Sequence, residues 1–332
     1  MVAQFSFFYI LSKIDFAINL FSHLFEWKKN FHILLFSKFA FSAGDVIYTF
    51  VLLYLVYITI NLIRKKKSIS LKRLLIFINL SYFVYQCLWG MLYFQTPIIE
   101  KLAKKDITEE NLKKLTIKYL KLCKETREKV SEDHKGIFVV KDLQKVEKEI
   151  LAQQKNLSTQ ITSKRPIEIL SVKPSLYNHL MNYTGILGYY NPFTAESQYN
   201  PNLPSTQLPF TLAHEMSHQL GFAREQEASF IAYLCSKNSN DQDLKYSYQL
   251  YVLKSLLRNL SVKNKSFAKG ILSQYSEKMK RDRINEIEFF KKNEGLVSDV
   301  FGFTNDLFLK SNQQDGSITY SYFIILLVRC EA

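Results

Sequence analysis

The sequence predicts a mostly α-helical chain with a small β element, built as an N-terminal transmembrane hairpin followed by an extracytoplasmic domain. Three observations carry this. Residues 46–63, VIYTFVLLYLVYITINLI, and residues 74–94, LLIFINLSYFVYQCLWGMLYF, contain no charged residue. No Asp or Glu occurs between Asp45 and Glu100. From Lys101 onward the chain becomes rich in Lys and Glu, with Leu, Val and Ile at helical spacing.

The first element is the hardest to read. Residues 5–27, FSFFYILSKIDFAINLFSHLFEW, are apolar but carry Lys13, Asp15 and His23. Apolar residues at 7, 10, 11, 14, 18, 21 and 25 follow helical spacing, which predicts an interfacial amphipathic helix over 1–43, with a span through 5–27 as the alternative. The segment has neither a basic start nor a small-residue cleavage site, so it is not read as a signal peptide. Each uncharged run is long enough to cross a hydrocarbon core of about 30 Å. The loop between them, RKKKSISLKR at 64–73, holds six basic residues and no acid, which keeps it in the cytoplasm. Residues 44–96 are therefore a two-helix anchor, and 97–332 form one domain on the far side.

Within that domain, 107–160 reads as two or three helices and PIEILSV at 166–172 as a strand. GILGYYNPFTAESQYNPNLP at 185–204 mixes Gly, Pro and Asn with aromatics and reads as extended and turn-rich. Residues 208–260 read as helix, broken at Gly221 and near SKNSND. Another helix is expected over 264–295, with Asn305 and Asp306 capping a helix. TYSYFIILLV at 319–328 is too short to span and is expected to pack as a helix.

The chain of 332 residues carries a formal charge of +14, with 26 Phe and 20 Tyr. No nucleic-acid-binding pattern is present and the lysines are dispersed, which excludes nucleic acid as the partner. The four cysteines form no CxxC pair, so neither a disulfide framework nor a thiolate metal site is indicated.

Chemistry is concentrated in TLAHEMSHQLGFAREQEASF, residues 211–230. His214 and His218, four apart on a helix, lie on one face and can reach one ion. Glu215 beside them is placed to take a proton from a water at an open fourth position, the arrangement of a catalytic zinc site. The metal expected is Zn2+. At the position of a third histidine in HExxHxxGxxH proteins stands Arg224, which cannot ligate. Two acids follow, Glu225 and Glu227. On a helix they point about 200° apart, so only one can face the ion. The frame of Glu225, Ala228 and Ser229 resembles the Glu-x-x-Ala-Asp helix of glutamate-ligated zincins, which favours Glu225 and leaves Glu227 as the alternative ligand. A zincin-like domain would also place an edge strand beside the metal, onto which a peptide can add. GYYNPFTAE is the candidate, with Glu196 and Asn200 as possible substrate-side groups and a packed connector as the alternative.

These segments resemble an uncharacterised bacterial membrane family, domain of unknown function 3810, over most of residues 38–328. The resemblance is carried by FSAGDVIY (41–48), WGMLYFQTP (89–97), SVKPS (171–175), LPFTLAHEMSHQLGFAREQEASFIAYL (208–234) and TNDLFLKSNQQDGSITYSY (304–322). The family's Glu-x-x-x-Asn-Phe corresponds to Glu225 through Ser229-Phe230 and implies Glu225 as ligand. It implies a multi-pass protein of the bacterial inner membrane with its metal-binding domain in the periplasm.

The expected function is a membrane-anchored zinc-dependent hydrolase, most simply a metallopeptidase acting on a peptide or protein, with the lipid bilayer as its other partner. A cell-wall amidase would use the same residues. The alternative from another class is a non-catalytic receptor or scaffold with a structural or degenerate zinc site. A structural site has no use for Glu215 and closes with a fourth protein ligand, which Cys235 could supply only if the fold brought it near.

Overall fold

The structure, a computed structural model, describes residues 2–64, 67–312 and 314–331. Helices form most of it, with one three-stranded sheet. At the N-terminus, α1 (Val2–Leu11) and α2 (Asp15–Phe36) meet at a bend of 97°. α3 (Ala43–Ile63) and α4 (Lys67–Leu88) follow and pack against each other. Both are long and apolar enough to cross a membrane, and the bent pair makes a third if it counts as one span. Their side chains are largely exposed, including Leu52, Leu53, Leu80 and Phe83, as lipid-facing surfaces are. Ser42 caps α3 by accepting a hydrogen bond from the Asp45 N–H. Arg64 and residues 67–73 of the basic loop lie at the other end of this pair, while residues 65 and 66 are outside the described residues.

Two sequence expectations shift here. The second apolar run does not form one helix through Phe94. α4 starts inside the basic stretch and stops at Leu88, and Gly90–Phe94 is a 3-10 turn with Met91, Leu92 and Tyr93 buried. At Gly90 the end of the Gln86 side chain lies over the backbone where a Cβ would stand. The run thus divides into a helix apolar enough to cross a membrane and a turn buried in the protein core. The N-terminal segment is also more than an interfacial helix. Phe25 and Ile33 of α2 are buried in the same core as the helices after residue 97, where each contributes about 1.5–3 kcal/mol by burial.

The remaining helices are α5 (Ile98–Lys101), α6 (Glu109–Arg127), α7 (Leu143–Gln153), α8 (Asn178–Thr184), α9 (Leu208–Leu220), α10 (Glu225–Asn238), α11 (Gln242–Lys263), α12 (Lys265–Ser273), α13 (Glu277–Asn293), α14 (Leu296–Ser311) and α15 (Phe323–Glu331). Capping residues set several starts: Thr108, Asp142, Asp241 and Ser276 each accept from the N–H three residues on. The helix expected over 264–295 is two, because the Ser276 cap starts α13 afresh. Asn305 and Asp306 lie inside α14 rather than capping a helix. α15 packs as the expected short helix, with Phe323, Leu326 and Leu327 buried.

The sheet comprises β1 (Val172–Pro174), β2 (Gly188–Asn191) and β3 (Glu196–Tyr199), in the order β1-β3-β2. β1 runs parallel to β3, and β2 antiparallel with Tyr190 opposite Ser197. Of the stretch 166–172, only Val172 belongs to a strand. The sheet lies against α9, and both α10 and α11 pack on the same helix. α9 is thus buried along nearly its whole length.

Candidate metal centre

The centre is made by one helix end, one glycine turn and one helix start. α9 carries His214 and His218 one turn apart. It ends at Gly221, which has φ 107°, a left-handed conformation that glycine adopts without strain. A Cβ there would also lie 2.6 Å from Cε1 of Phe25, so both backbone and packing require glycine. The turn brings the Phe222 carbonyl back to His218 Nδ1 at 2.7 Å. It also reverses the chain so that α10 begins at Glu225, beside the histidines.

The two Nε2 atoms are 3.2 Å apart. Glu225 Oε2 lies 3.0 Å from His214 Nε2 and 3.5 Å from His218 Nε2. A carbonyl only accepts, so His218 Nδ1 must donate to Phe222, leaving the lone pair of the neutral ring on Nε2. His214 Nδ1 is 3.1 Å from Ser229 Oγ, which also accepts from the Tyr251 hydroxyl at 3.2 Å. With His214 donating to Ser229, its Nε2 lone pair too faces the centre. With both rings neutral, as metal ligands must be, two imidazole lone pairs and a carboxylate converge. A tetrahedral zinc with bonds of 2.0–2.1 Å would hold its ligand atoms about 3.3 Å apart, so this triangle fits the ion. Among the described residues no fourth His, Cys, Asp or Glu joins the group. Cys235 is ten residues further along α10, roughly 15 Å along its axis.

Electrostatics agree with a site short of positive charge. Burial would raise the Glu225 carboxyl, but His218 and His214 beside it hold it well below the usual carboxylate range. Burial lowers the pKa of His214. It would do the same to His218, but the Glu225 carboxylate outweighs it and draws that pKa up to about 9. Burial pushes Glu215 up to about 8, with His218 opposing and Glu225 adding.

Glu215 is buried between α9 and the edge strand β2. A Cβ on Gly188 would lie 2.7 Å from Glu215 Cγ, so the strand can approach this closely only with glycine. The Glu215 backbone carbonyl accepts from Ser197 Oγ at 3.0 Å. Among the described residues no donor engages its carboxyl group. Glu227, two residues after Glu225, turns away from the triangle and accepts from the Ile98 N–H at 2.8 Å and from Arg224 at 3.3 Å. Glu196 and Asn200 do not reach the centre either. Glu196 is fully buried and accepts from the Ala43 and Gly44 N–H groups at the start of α3, from Lys173 and from Thr194. Asn200 donates to Asn182 Oδ1 and accepts from the Asn202 N–H. Their polar atoms are taken by the fold rather than offered to a substrate.

Several residues that matter here had no signal in the sequence. Trp89, just after α4, sets its ring edge-on to His218 at 6.0 Å and packs on Tyr190 at 4.7 Å. Lys29 of α2 donates to the Leu220 carbonyl at the end of α9, at 3.3 Å, and Lys28 donates to the Leu88 carbonyl at the end of α4, at 2.9 Å. Cations there satisfy carbonyls that a helix end leaves without partners. Gln314 Oε1 accepts from the Glu225 N–H at 3.1 Å. None of these pairs has a sequence spacing that reveals it; only the Ser229 position, through its frame with Glu225, was legible.

A family profile described as protein of unknown function (DUF3810) matches residues 21–328. No curated protein and no solved structure matches the chain.

Proposed function

The chain belongs to the DUF3810 family, and from that premise we propose that it is a membrane-anchored zinc-dependent hydrolase, most simply a metallopeptidase. One observation carries the reading: Nε2 of His214, Nε2 of His218 and the Glu225 carboxylate converge, with no fourth protein ligand among the described residues. Zinc held there supplies a Lewis acid that makes a water nucleophilic near neutral pH. Glu215 takes the proton of the attacking water and returns it to the leaving amine. Ser229 and Phe222 fix the two imidazoles in the ligating tautomer. β2, at the sheet edge beside Glu215, offers its backbone to an extended peptide. A receptor or scaffold with a structural zinc is the rival. The open fourth position and the unengaged Glu215 carboxyl favour the hydrolase.

Metal analysis of the purified chain tests the ligand set. The wild type is expected to carry about one zinc. His214→Ala and Glu225→Gln lose it, while Glu227→Gln keeps it. Loss at Glu227 alone, or retention in both of the other variants, would refute the assignment. Binding is also expected to release protons, because ligands must be deprotonated. In the ion-free site His218 and Glu215, with pKa values of about 9 and 8, hold protons at pH 7. Each gives one up when a dication arrives, so affinity rises with pH until the two have titrated. Calorimetry at pH 7 in buffers of different ionisation enthalpy measures the release; a heat independent of buffer would contradict it.

We place residues 97–332 on the extracytoplasmic side of the bacterial inner membrane, because the basic stretch from Arg64 to Arg73 holds the loop in the cytoplasm. A reporter active only outside the cytoplasm should work when fused after Ala332 and stay silent at Ser70. The opposite pattern inverts the topology.

A further inference from the structure

α14 carries its apolar face outward. Leu296, Val300, Phe303 and Leu307 recur at spacings of four, three and four, which puts them on one face. That face is open: Leu296 is 84%, Val300 62% and Phe303 66% exposed. Of the whole helix only Leu309 is buried. The charged residues Asp299, Asp306 and Lys310 line one edge of that face, where Asp306 pairs with Lys310 at 2.7 Å, and exposed Asn305 lies opposite it. α8 packs beside α14 and adds exposed Leu180 and Tyr183, with Leu176 just before it. An apolar surface of this size needs a covering.

Its place in the fold says what covers it. Tyr177, at the start of α8, hydrogen-bonds Thr49 Oγ1 at 2.6 Å and the Asp45 carbonyl at 3.0 Å, both on α3. Tyr85 of α4 donates to Asn312, just past α14, at 2.7 Å, and its ring lies 6.4 Å from Phe308. Thr49 is six residues inside α3, about 9 Å from its start. The two helices are therefore fastened to the membrane-sized pair at the end where α3 begins and α4 ends, and below its rim. α3 and α4 expose apolar side chains of their own, Phe50, Leu53, Leu80 and Phe83 among them.

We propose that α14 and α8 lie in the membrane interface on the side that carries residues 97–332, with the apolar face of α14 sunk into the boundary between headgroups and acyl chains. The occupant of this face is the bilayer itself. An in-plane amphipathic helix buries such a face by about 5–10 Å. The segment leaving α14 includes Gln314, which holds the Glu225 backbone N–H, so the immersed helix also braces the start of α10. The inference rests on α3 and α4 crossing the bilayer.

The test uses the full chain in lipid vesicles, with Cys87 and Cys330 replaced by alanine so that only the buried Cys123 and Cys235 remain. Single cysteines are introduced as Phe303→Cys, Leu307→Cys, Asn305→Cys and Leu53→Cys and labelled with a small fluorophore. Quenching by nitroxide-bearing lipids is compared with quenching by aqueous iodide. Labels at 303 and 307 are expected to be quenched strongly from the lipid and weakly by iodide, and the label at 305 the reverse. Strong iodide quenching at 303 and 307 overturns the proposal, since the face is then in water. Protection from both quenchers also overturns it, since a protein surface such as a second copy then covers the helix. The label at 53 reports on α3 alone: if lipid does not quench it, the membrane reading fails first and takes the proposal with it.

Discussion

Glu215→Gln is expected to leave a folded, zinc-loaded protein that has lost turnover by about 10²–10⁴-fold, the usual cost of removing a general base. The substitution keeps size and polarity. It removes only the ability to accept a proton. Its surroundings allow this separation, because the carboxyl group is not one of the three converging atoms and no donor among the described residues depends on it. His214→Ala is the contrasting variant, since it should lose metal and turnover together. The assay needs a substrate, which a peptide library with detection of new termini can supply. Once a cleavage is found, a Glu215→Gln protein that performs it at the wild-type rate with a full complement of zinc would end the hydrolase mechanism and leave the scaffold.

The largest effect on stability is expected at Glu196, whose carboxylate does not reach the candidate metal centre. Its carboxylate is fully buried and its oxygens face the Lys173 ammonium at 2.6 Å, the Gly44 N–H at 2.7 Å, the Ala43 N–H at 3.2 Å and the Thr194 hydroxyl at 2.8 Å. It sits at the N-terminus of α3, where a negative charge satisfies unpaired N–H groups and the helix dipole together. Glu196→Ala strands a buried ammonium and two backbone donors. Breaking a buried pair from one side costs about 3–5 kcal/mol, and a comparable loss is expected in denaturant unfolding of the detergent-solubilised protein. Adding Lys173→Met should recover part of it, because the orphaned charge is then gone. A single-variant loss below about 1 kcal/mol, the level of an exposed pair, would show that the carboxylate is not holding the helix.

Much of this was legible in the sequence. The uncharged runs and the basic stretch between them mark α3 and α4, because lipid and charge impose composition directly. The break at Gly221, the helix of His214 and His218, and Glu225 beside them follow from helical period and turn chemistry. What was lost is everything fixed by contacts between distant segments. Glu196 was left open between a substrate-side group and a packed connector because nothing in its neighbourhood announces that the start of α3 comes to meet it. Residues 90–94 read as membrane because an apolar core and an apolar solvent select the same side chains. α14 was missed as a helix: Gly295 and Gly302 interrupt its pattern, and its apolar residues mark a face that no protein element covers.

Lys28 and Lys29 are neighbours in sequence, yet one holds the last turn of α4 and the other the last turn of α9. Phe25, one turn earlier, fills the space over Gly221 and stacks toward Trp89. The membrane-sized helices and the helix of His214 and His218 therefore share side chains, not merely a connecting peptide. Cutting the chain after residue 96 would not free a self-sufficient soluble fragment. It would uncap α9, empty the pocket that Phe25 fills, and remove Trp89 from His218. The membrane-sized helices and the helical body are therefore expected to unfold together, with the N-terminal helices serving as part of the core around His218 rather than as a tether for it.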